Sequence, residues 1–416
     1  MFQKIKSLIT GFLIKSQRLT KTDNVYLATQ GSFLAVGNII STLASFLLAM
    51  AFARLLPKEV YGNYRYIISI VTMIGILGLP GIDDAVLQAV ANKFEGCLKT
   101  AFKKRIRWAT LGSLACLIVA GVFFFKNDFN LTISFIVAGV FFPLMESTTL
   151  YLSYLGGKKL FGVQVKYSTI AQIIATVAII ITLFFSKSLI VIVLIYFLSN
   201  TLIRAFFYLR TVKKFPANSN QENGFITFGK HLTLVRVVKT ISSQIDKMLL
   251  FQFVGATQLA IYSFATLPTS EANIFLQNIR LLALPKLSTR SKQEIKKSLL
   301  KKVIIGTLLI IPLVAIYILI APYVFKIFFP QYMDSVFYSQ LYALTIIAFP
   351  ASMFALTFQA KMMKKELYRF NIISPFVEIL FLVILTPLYG IMGIIISRLI
   401  GQFFAVGYAL VLFKKI

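Results

Sequence analysis

Long apolar runs alternate with short clusters of Lys and Arg from one end of this chain to the other. A bilayer core of roughly 30 Å asks for about 20 predominantly apolar helical residues. The pattern predicts twelve such segments, at 30–55, 62–82, 104–125, 130–155, 161–185, 188–210, 226–254, 257–283, 301–324, 335–360, 368–388 and 390–413. The expected fold is therefore an all-α polytopic membrane protein.

The connections between segments test this division. On one side fall the basic N-terminal stretch, "KTAFKKRIR", Lys158, Lys159 and Lys166, "LRTVKK" with Lys230, "PKLSTRSKQEIKKSLLKK", "KMMKKELYR", and Lys414 and Lys415. The other side has only Lys58, Arg65, Lys126, Lys187 and Lys326. Roughly 31 basic residues lie on one side, about 5 on the other and about 7 within spans, an asymmetry that places both termini in the cytoplasm. A miscounted span would invert every later loop and scramble the alternation, so its persistence supports an even number.

The chain also repeats itself weakly. "GSFLAVGNIISTLASFLLAMAFARLLPKEVYGNYRY", from Gly31, aligns without a gap on "GKHLTLVRVVKTISSQIDKMLLFQFVGATQLAIYSF", from Gly229, pairing Thr42 with Thr240, Ser45 with Ser243 and Tyr64 with Tyr262. Both segments start on the same side, which makes parallel repeats related by an axis along the membrane normal. Between them lies the polar stretch "KKFPANSNQENG", whose Pro, Asn and Gly discourage helix. The expected organisation is an N-terminal lobe over 1–212, a cytoplasmic linker at 213–224 and a C-terminal lobe over 225–416. Two pseudo-symmetric six-helix lobes would enclose a central cavity, and rocking one against the other gives alternating access.

Composition narrows the function. The 416 residues are 58% hydrophobic with mean hydropathy +0.82, outside the range of soluble domains. A net charge of +29 would point to nucleic acid in a soluble protein, but here the charge sits in inter-span clusters, with no continuous basic face. Two cysteines, Cys97 and Cys116, and one histidine cannot build a multi-ligand metal centre, and no phosphate-binding loop motif occurs. No metal or other cofactor is expected. The first residues form either a surface amphipathic helix, with Phe2, Ile5, Ile9 and Phe12 toward lipid, or a tail.

The candidate chemistry lies in "LVRVVKTISSQIDKMLLFQF", Leu234 to Phe253. Each charge at the centre of a membrane helix costs roughly 2.5–3.5 kcal/mol on insertion scales, so these need partners, water or an anionic ligand. At 100° per residue Arg236, Lys239, Thr240, Ser243, Asp246 and Lys247 share a sector about 120° wide, the expected cavity wall. Depth along the helices allows Lys239 to meet Glu271 and Glu378 to meet Arg398, pairs that are either structural or engaged in ion coupling together with Asp246. Arg236 has no acid at its own depth on the next span and is the expected unpaired cation. Arg54, Arg280 and Arg204 extend a cationic track or else snorkel to the headgroups. Glu146, Asp83 and Asp84 lie near the inner surface and read as structural.

With "ARLLPKEVYGNYRY" after the first span and "SQIDKMLLFQFVGATQLAIYSFA" across the seventh and eighth, the chain resembles the Wzx-type flippases of O-antigen (lipopolysaccharide) and capsule repeat units. These belong to the multidrug/oligosaccharidyl-lipid/polysaccharide exporter superfamily. The resemblance covers essentially the whole chain. It implies movement of an undecaprenyl-diphosphate-linked oligosaccharide across a bacterial inner (plasma) membrane, with polysaccharide polymerase and chain-length machinery as partners. It also places Arg236, Lys239 and Asp246 among cavity residues. The first lobe departs from the pattern, offering only Asn38, Ser41, Thr42 and Ser45 at the corresponding places.

The expected function is that of a flippase and not of an enzyme, its cations Arg236, Lys239, Ser243 (as polar neighbour), Lys247, Arg54 and Arg280 facing a diphosphate or anionic glycan. The alternative on the same fold is a cation-coupled exporter of small molecules, which favours unpaired acids in the cavity. A membrane enzyme acting on the same lipid would need a sizeable catalytic loop, and the longest connections here are about 20 residues of mostly Lys, Ser and apolar types.

Overall fold

The computed structural model describes residues 24–414, and no strand occurs among them. The segment carrying Phe2, Ile5, Ile9 and Phe12 lies outside the described residues. The N-terminal lobe comprises α1 (Asn24–Leu55), α2 (Lys58–Ile74), α3 (Gly81–Ala91), α4 (Cys97–Phe125), α5 (Phe129–Thr148), α6 (Leu150–Gly157), α7 (Phe161–Phe185) and α8 (Leu189–Lys214). The C-terminal lobe comprises α9 (Phe225–Phe253), α10 (Ala256–Thr289), α11 (Lys292–Phe328), α12 (Ser335–Ala343), α13 (Ser352–Ala360) and α14 (Lys364–Lys414).

Nine stretches among the described residues are long and apolar enough to cross a bilayer. The last, α14, is two antiparallel rods. Gly390 adopts φ 55° and ψ −128°, a conformation side chains disfavour, and turns the chain so that Gly401 returns against the Glu378 side chain. Helices α9 and α10 have sufficient length, but their polar and charged residues keep them outside that set. They occupy the interface between lobes, where α9 packs on α2 and α3, and α10 on α2.

Several boundaries differ from the sequence expectation for local reasons. Ser291 accepts from the Glu294 backbone N–H while the Glu294 carboxylate accepts from that of Ser291, a capping box that starts α11 nine residues before the expected span. The second crossing begins at Lys58 and reaches Gly78 through a 3-10 turn. It then bends at Leu79–Pro80, where proline offers no N–H, and resumes as α3. The crossing thus starts four residues before the expected 62, and Arg65, expected among the basic residues of a connection, lies inside the membrane-spanning helix.

We call the end carrying most connections rich in Lys and Arg the basic end, and the other the far end. The 215–224 stretch is pinned at the basic end. Asn218 Oδ1 accepts from the Glu95 N–H at 3.1 Å, and the Gly96 N–H donates to the Asn220 carbonyl at 2.9 Å.

Candidate functional site

At the far end the lobes close on aromatic side chains. Tyr61 of α2 packs on Phe264 and Tyr332, while Phe46 of α1 meets Phe328 and Phe329 edge-on. Outside this layer Lys58 pairs with Asp334 at 2.7 Å and Arg54 donates to the Ile327 carbonyl at 2.7 Å. Gly62 makes the approach possible: a Cβ there would lie 1.9 Å from the Ala256 carbonyl oxygen.

The lobes also touch at the basic end. Asp83 and Asp84 occupy the first turn of α3, where the helix dipole favours carboxylates. Successive helical residues point about 100° apart, so the two face different partners. Asp83 takes Arg105 of its own lobe at 2.5 Å, a guanidinium only 2% exposed that also reaches Glu146 at 3.3 Å. Asp84 crosses to Arg236 of α9 at 2.5 Å, with the Pro80 carbonyl as a second acceptor at 3.3 Å. Nearby the Gly81 N–H donates to Thr233 Oγ1 at 3.0 Å, and Lys230 lies 4.9 Å above the Trp108 ring.

Between these two closures lies a cavity of about 470 Å³ at the lobe interface. Its N-terminal wall is Ser45, Leu48, Ala49 and Phe52 of α1 with Tyr61, Tyr64 and Arg65 of α2; its C-terminal wall includes Ser243, Asp246, Lys247, Tyr262, Glu271, Tyr342 and Arg398. Arg65 sits seven residues from the far end of its helix at Lys58 and Lys247 six from Phe253, so both lie about 10 Å deep at 1.5 Å per residue. Arg65 makes no ion pair among the described residues, and its Nε is buried without a partner. Lys247 donates to Gln244 Oε1 at 2.9 Å.

Arg398 is held differently. It bonds Asp246 Oδ2 at 2.6 Å, Glu378 Oε1, and the Ser242 carbonyl at 3.0 Å. Tyr262 donates a further 2.6 Å bond to Asp246. The side chains of Arg398, Asp246 and Glu378 are 14%, 4% and 15% exposed, so one cation neutralises two buried acids inside the C-terminal lobe. The Glu378–Arg398 pair anticipated from depth is present, with Asp246 added.

Of the residues singled out in the sequence, Ser243, Asp246, Lys247, Glu271 and Arg398 line the cavity and Glu378 lies directly behind it. Arg236 is not the unpaired cation expected, because the α3 bend brings Asp84 of the other lobe to it. Lys239 is exposed and makes no pair with Glu271, whose Oε2 is buried without a partner. Arg54 belongs to the far-end closure, and Arg280, half-buried on α10, does not line the cavity. Sequence reasoning missed Arg65, although Tyr61, Tyr64 and Arg65 at i, i+3 and i+4 mark one face of a helix. Among the described residues no group of three or more His, Cys, Asp or Glu is arranged to hold a metal ion.

The profile of the family described as polysaccharide biosynthesis protein matches residues 27–288, from α1 through most of α10. The chain belongs to that family. Its fold is that of the MOP superfamily transporters. The lipid II flippase MurJ in an inward closed conformation superposes with TM-score 0.67 at 14% identity, over 91% of this chain and 86% of the other. A multidrug resistance MATE family transporter in an inward-facing conformation gives 0.66 at 12% identity, over 90% and 94%. A MOP superfamily transporter from Pyrococcus furiosus, described as having a binding pocket of reverse polarity, gives 0.57 at 13% identity, over 92% and 93%. No curated protein sequence matches the chain. With this fold and nine described stretches long and apolar enough to cross a bilayer, the protein is a multi-pass membrane protein.

Proposed function

We propose that the protein flips an undecaprenyl-diphosphate-linked oligosaccharide from the cytoplasmic to the outer leaflet of a bacterial inner membrane. The basic end then faces the cytoplasm, in keeping with the bias of Lys and Arg in the connections, and the same bias would put both termini on that side. The observation that carries this reading is the interface cavity in which Arg65 and Lys247 stand at one depth from opposite lobes. Planar guanidinium donors suit paired phosphate oxygens, and the ammonium adds a mobile point charge. Ser243 supplies a neutral hydrogen-bonding neighbour. Such a wall takes the anionic head out of hydrocarbon while the prenyl tail stays in lipid.

Alternating access requires the two closures to open in turn. The Arg236–Asp84 contact at the basic end and the Lys58–Asp334 contact at the far end both join the lobes, so each is broken in one half of the cycle. Moving negative charge outward across an inside-negative membrane gains about 2.3 kcal/mol per charge per 100 mV, so nucleotide hydrolysis is not required. The polymer-forming machinery on the outer face is the expected recipient.

The rival is a cation-coupled exporter of small molecules, favoured by the Glu271 carboxylate in the same cavity, which makes no ion pair among the described residues and whose Oε2 is buried without a partner. Deleting the gene separates the two readings. Accumulation of a lipid-linked oligosaccharide in the cytoplasmic leaflet, reversed by the intact gene, supports the flippase. Unchanged lipid-linked intermediates together with altered drug sensitivity would establish the exporter instead.

A further inference from the structure

A second cavity, of about 360 Å³, lies inside the N-terminal lobe between α1, α5–α6, α7 and α8, its wall part apolar and part polar. It shares Ser45 and Leu48 with the interface cavity, so the two meet across α1. On its wall stands Arg204 of α8, which has no hydrogen bond or ion pair among the described residues. Glu146 lines a third, smaller space with Arg204 but is already bonded to Arg105. A guanidinium at this depth without an acid is the arrangement expected where a ligand supplies the negative charge.

The rest of the wall specifies what kind of ligand. Gln172 Nε2 donates to the Ser41 carbonyl and to Ser45 Oγ, both at 3.0 Å, and Asn200 Nδ2 donates to the Tyr196 carbonyl at 2.9 Å. Gln172 thus spends both of its amide hydrogens on protein and Asn200 one of its two, while their side-chain carbonyl oxygens have no donor among the described residues. Groups rich in hydroxyl donors satisfy them. Tyr151 and Tyr196 add aromatic surface. An array of acceptors and rings beside one fixed cation matches a polyhydroxylated acid better than a bare phosphate, and the volume lies at the low end of ligand pockets.

We propose that this cavity is a second oxyanion-binding subsite, in which Arg204 holds the carboxylate of an acidic sugar of the cargo while Gln172 and Asn200 accept from its hydroxyls. The assignment rests on the flippase reading for its cargo, but its chemistry is testable separately. Lipid phosphate is the other source of an oxyanion, and it has its own site at Arg65 and Lys247, about 12 Å nearer the far end by helical rise.

The test uses the full chain in nanodiscs and measures binding of free glucuronate, glucose and undecaprenyl diphosphate. Wild type should bind glucuronate in preference to glucose. Arg204→Gln should weaken glucuronate at least tenfold and leave undecaprenyl diphosphate within twofold, with partial recovery in Arg204→Lys. Arg65→Gln should do the reverse. Asn200→Leu provides a second variant should Arg204→Gln misfold, and it too should lower glucuronate affinity. Equal binding of glucose and glucuronate, no glucuronate binding by wild type, or loss of diphosphate rather than glucuronate in Arg204→Gln would each overturn the subsite. Failure of wild type to bind undecaprenyl diphosphate counts against the flippase reading alone, because an Arg204-dependent glucuronate site would still stand.

Discussion

Replacing Arg398 by Gln isolates the energetics of the buried acid pair. In the native protein its guanidinium meets Asp246 at 2.6 Å and also binds Glu378, with all three side chains at most 15% exposed. Removing one member of a buried pair typically costs 3–5 kcal/mol, because the remaining charge stays desolvated. Here two carboxylates are left, and only Tyr262 and the Lys247 N–H still donate to Asp246. A loss of at least about 3–5 kcal/mol is therefore expected. Unfolding entropy near 2.1 cal/mol/K per residue gives about 0.9 kcal/mol/K for 416 residues, hence a Tm lowered by about 3–6 °C. Thermal unfolding of purified protein, followed through the single Trp108, reads the shift. The decisive comparison adds Asp246→Asn and Glu378→Gln to Arg398→Gln. Neutral groups of the same shape remove the stranded charge, so the triple variant should recover more than half of the loss. A single variant within 1 °C of wild type, or a triple variant no more stable than the single, would refute the charge argument.

Three further outcomes follow from the same geometry. Arg65→Gln should reduce flipping of lipid-linked oligosaccharide in proteoliposomes more than tenfold with Tm within about 2 °C, since Arg65 gives up no ion pair; retained flipping counts against its place in the site. Gly62→Val forces a side chain onto the Ala256 carbonyl, so disulfide formation between Cys at 58 and Cys at 334 should drop several-fold relative to the same pair with Gly62 intact. Arg236→Gln should change stability by less than about 1 kcal/mol, because its side chain and that of Asp84 are 42% and 48% exposed and solvent screens the pair. Chemical denaturation measures the last directly.

What the sequence made legible is what depends on distance along one chain segment. Apolar run length and the alternation of basic clusters report bilayer thickness and orientation, and the Glu378–Arg398 contact falls out of equal depth on either side of one turn. What escaped depends on contacts between distant segments. The bend at Leu79–Pro80 swings Asp84 under Arg236, 152 positions along the chain, and no periodicity within α9 encodes that partner. The helical wheel placed Asp246 at the rim of the polar stripe, but it could not tell which lobe would claim it. Arg65 was hidden for another reason. Arg65, at the very start of the expected span and within the polar "KEVYGNYRY", counts with a connection, whereas tyrosines bury their rings and satisfy their hydroxyls inside a protein at little cost.

The same point explains why charges in this membrane protein cannot be read singly. Arg105, Arg236 and Arg398, the first from a basic cluster and the other two not, lie in or near apolar helices as Arg65 and Arg204 do. The first three are matched by Asp83 with Glu146, by Asp84, and by Asp246 with Glu378. Every one of those five acids is thereby occupied. Arg65 and Arg204 stand on cavity walls without a carboxylate of their own, and each therefore has free guanidinium donors where a ligand can enter. Tyr196 lines the Arg204 cavity, and its ring lies 5.9 Å from that of Tyr64 on the Arg65 wall. A cargo that is anionic at two places, once on its lipid phosphate and once on its glycan, uses both cations together. A cargo with a neutral glycan leaves Arg204 empty, so Arg204→Gln should slow the acidic cargo selectively while Arg65→Gln slows both.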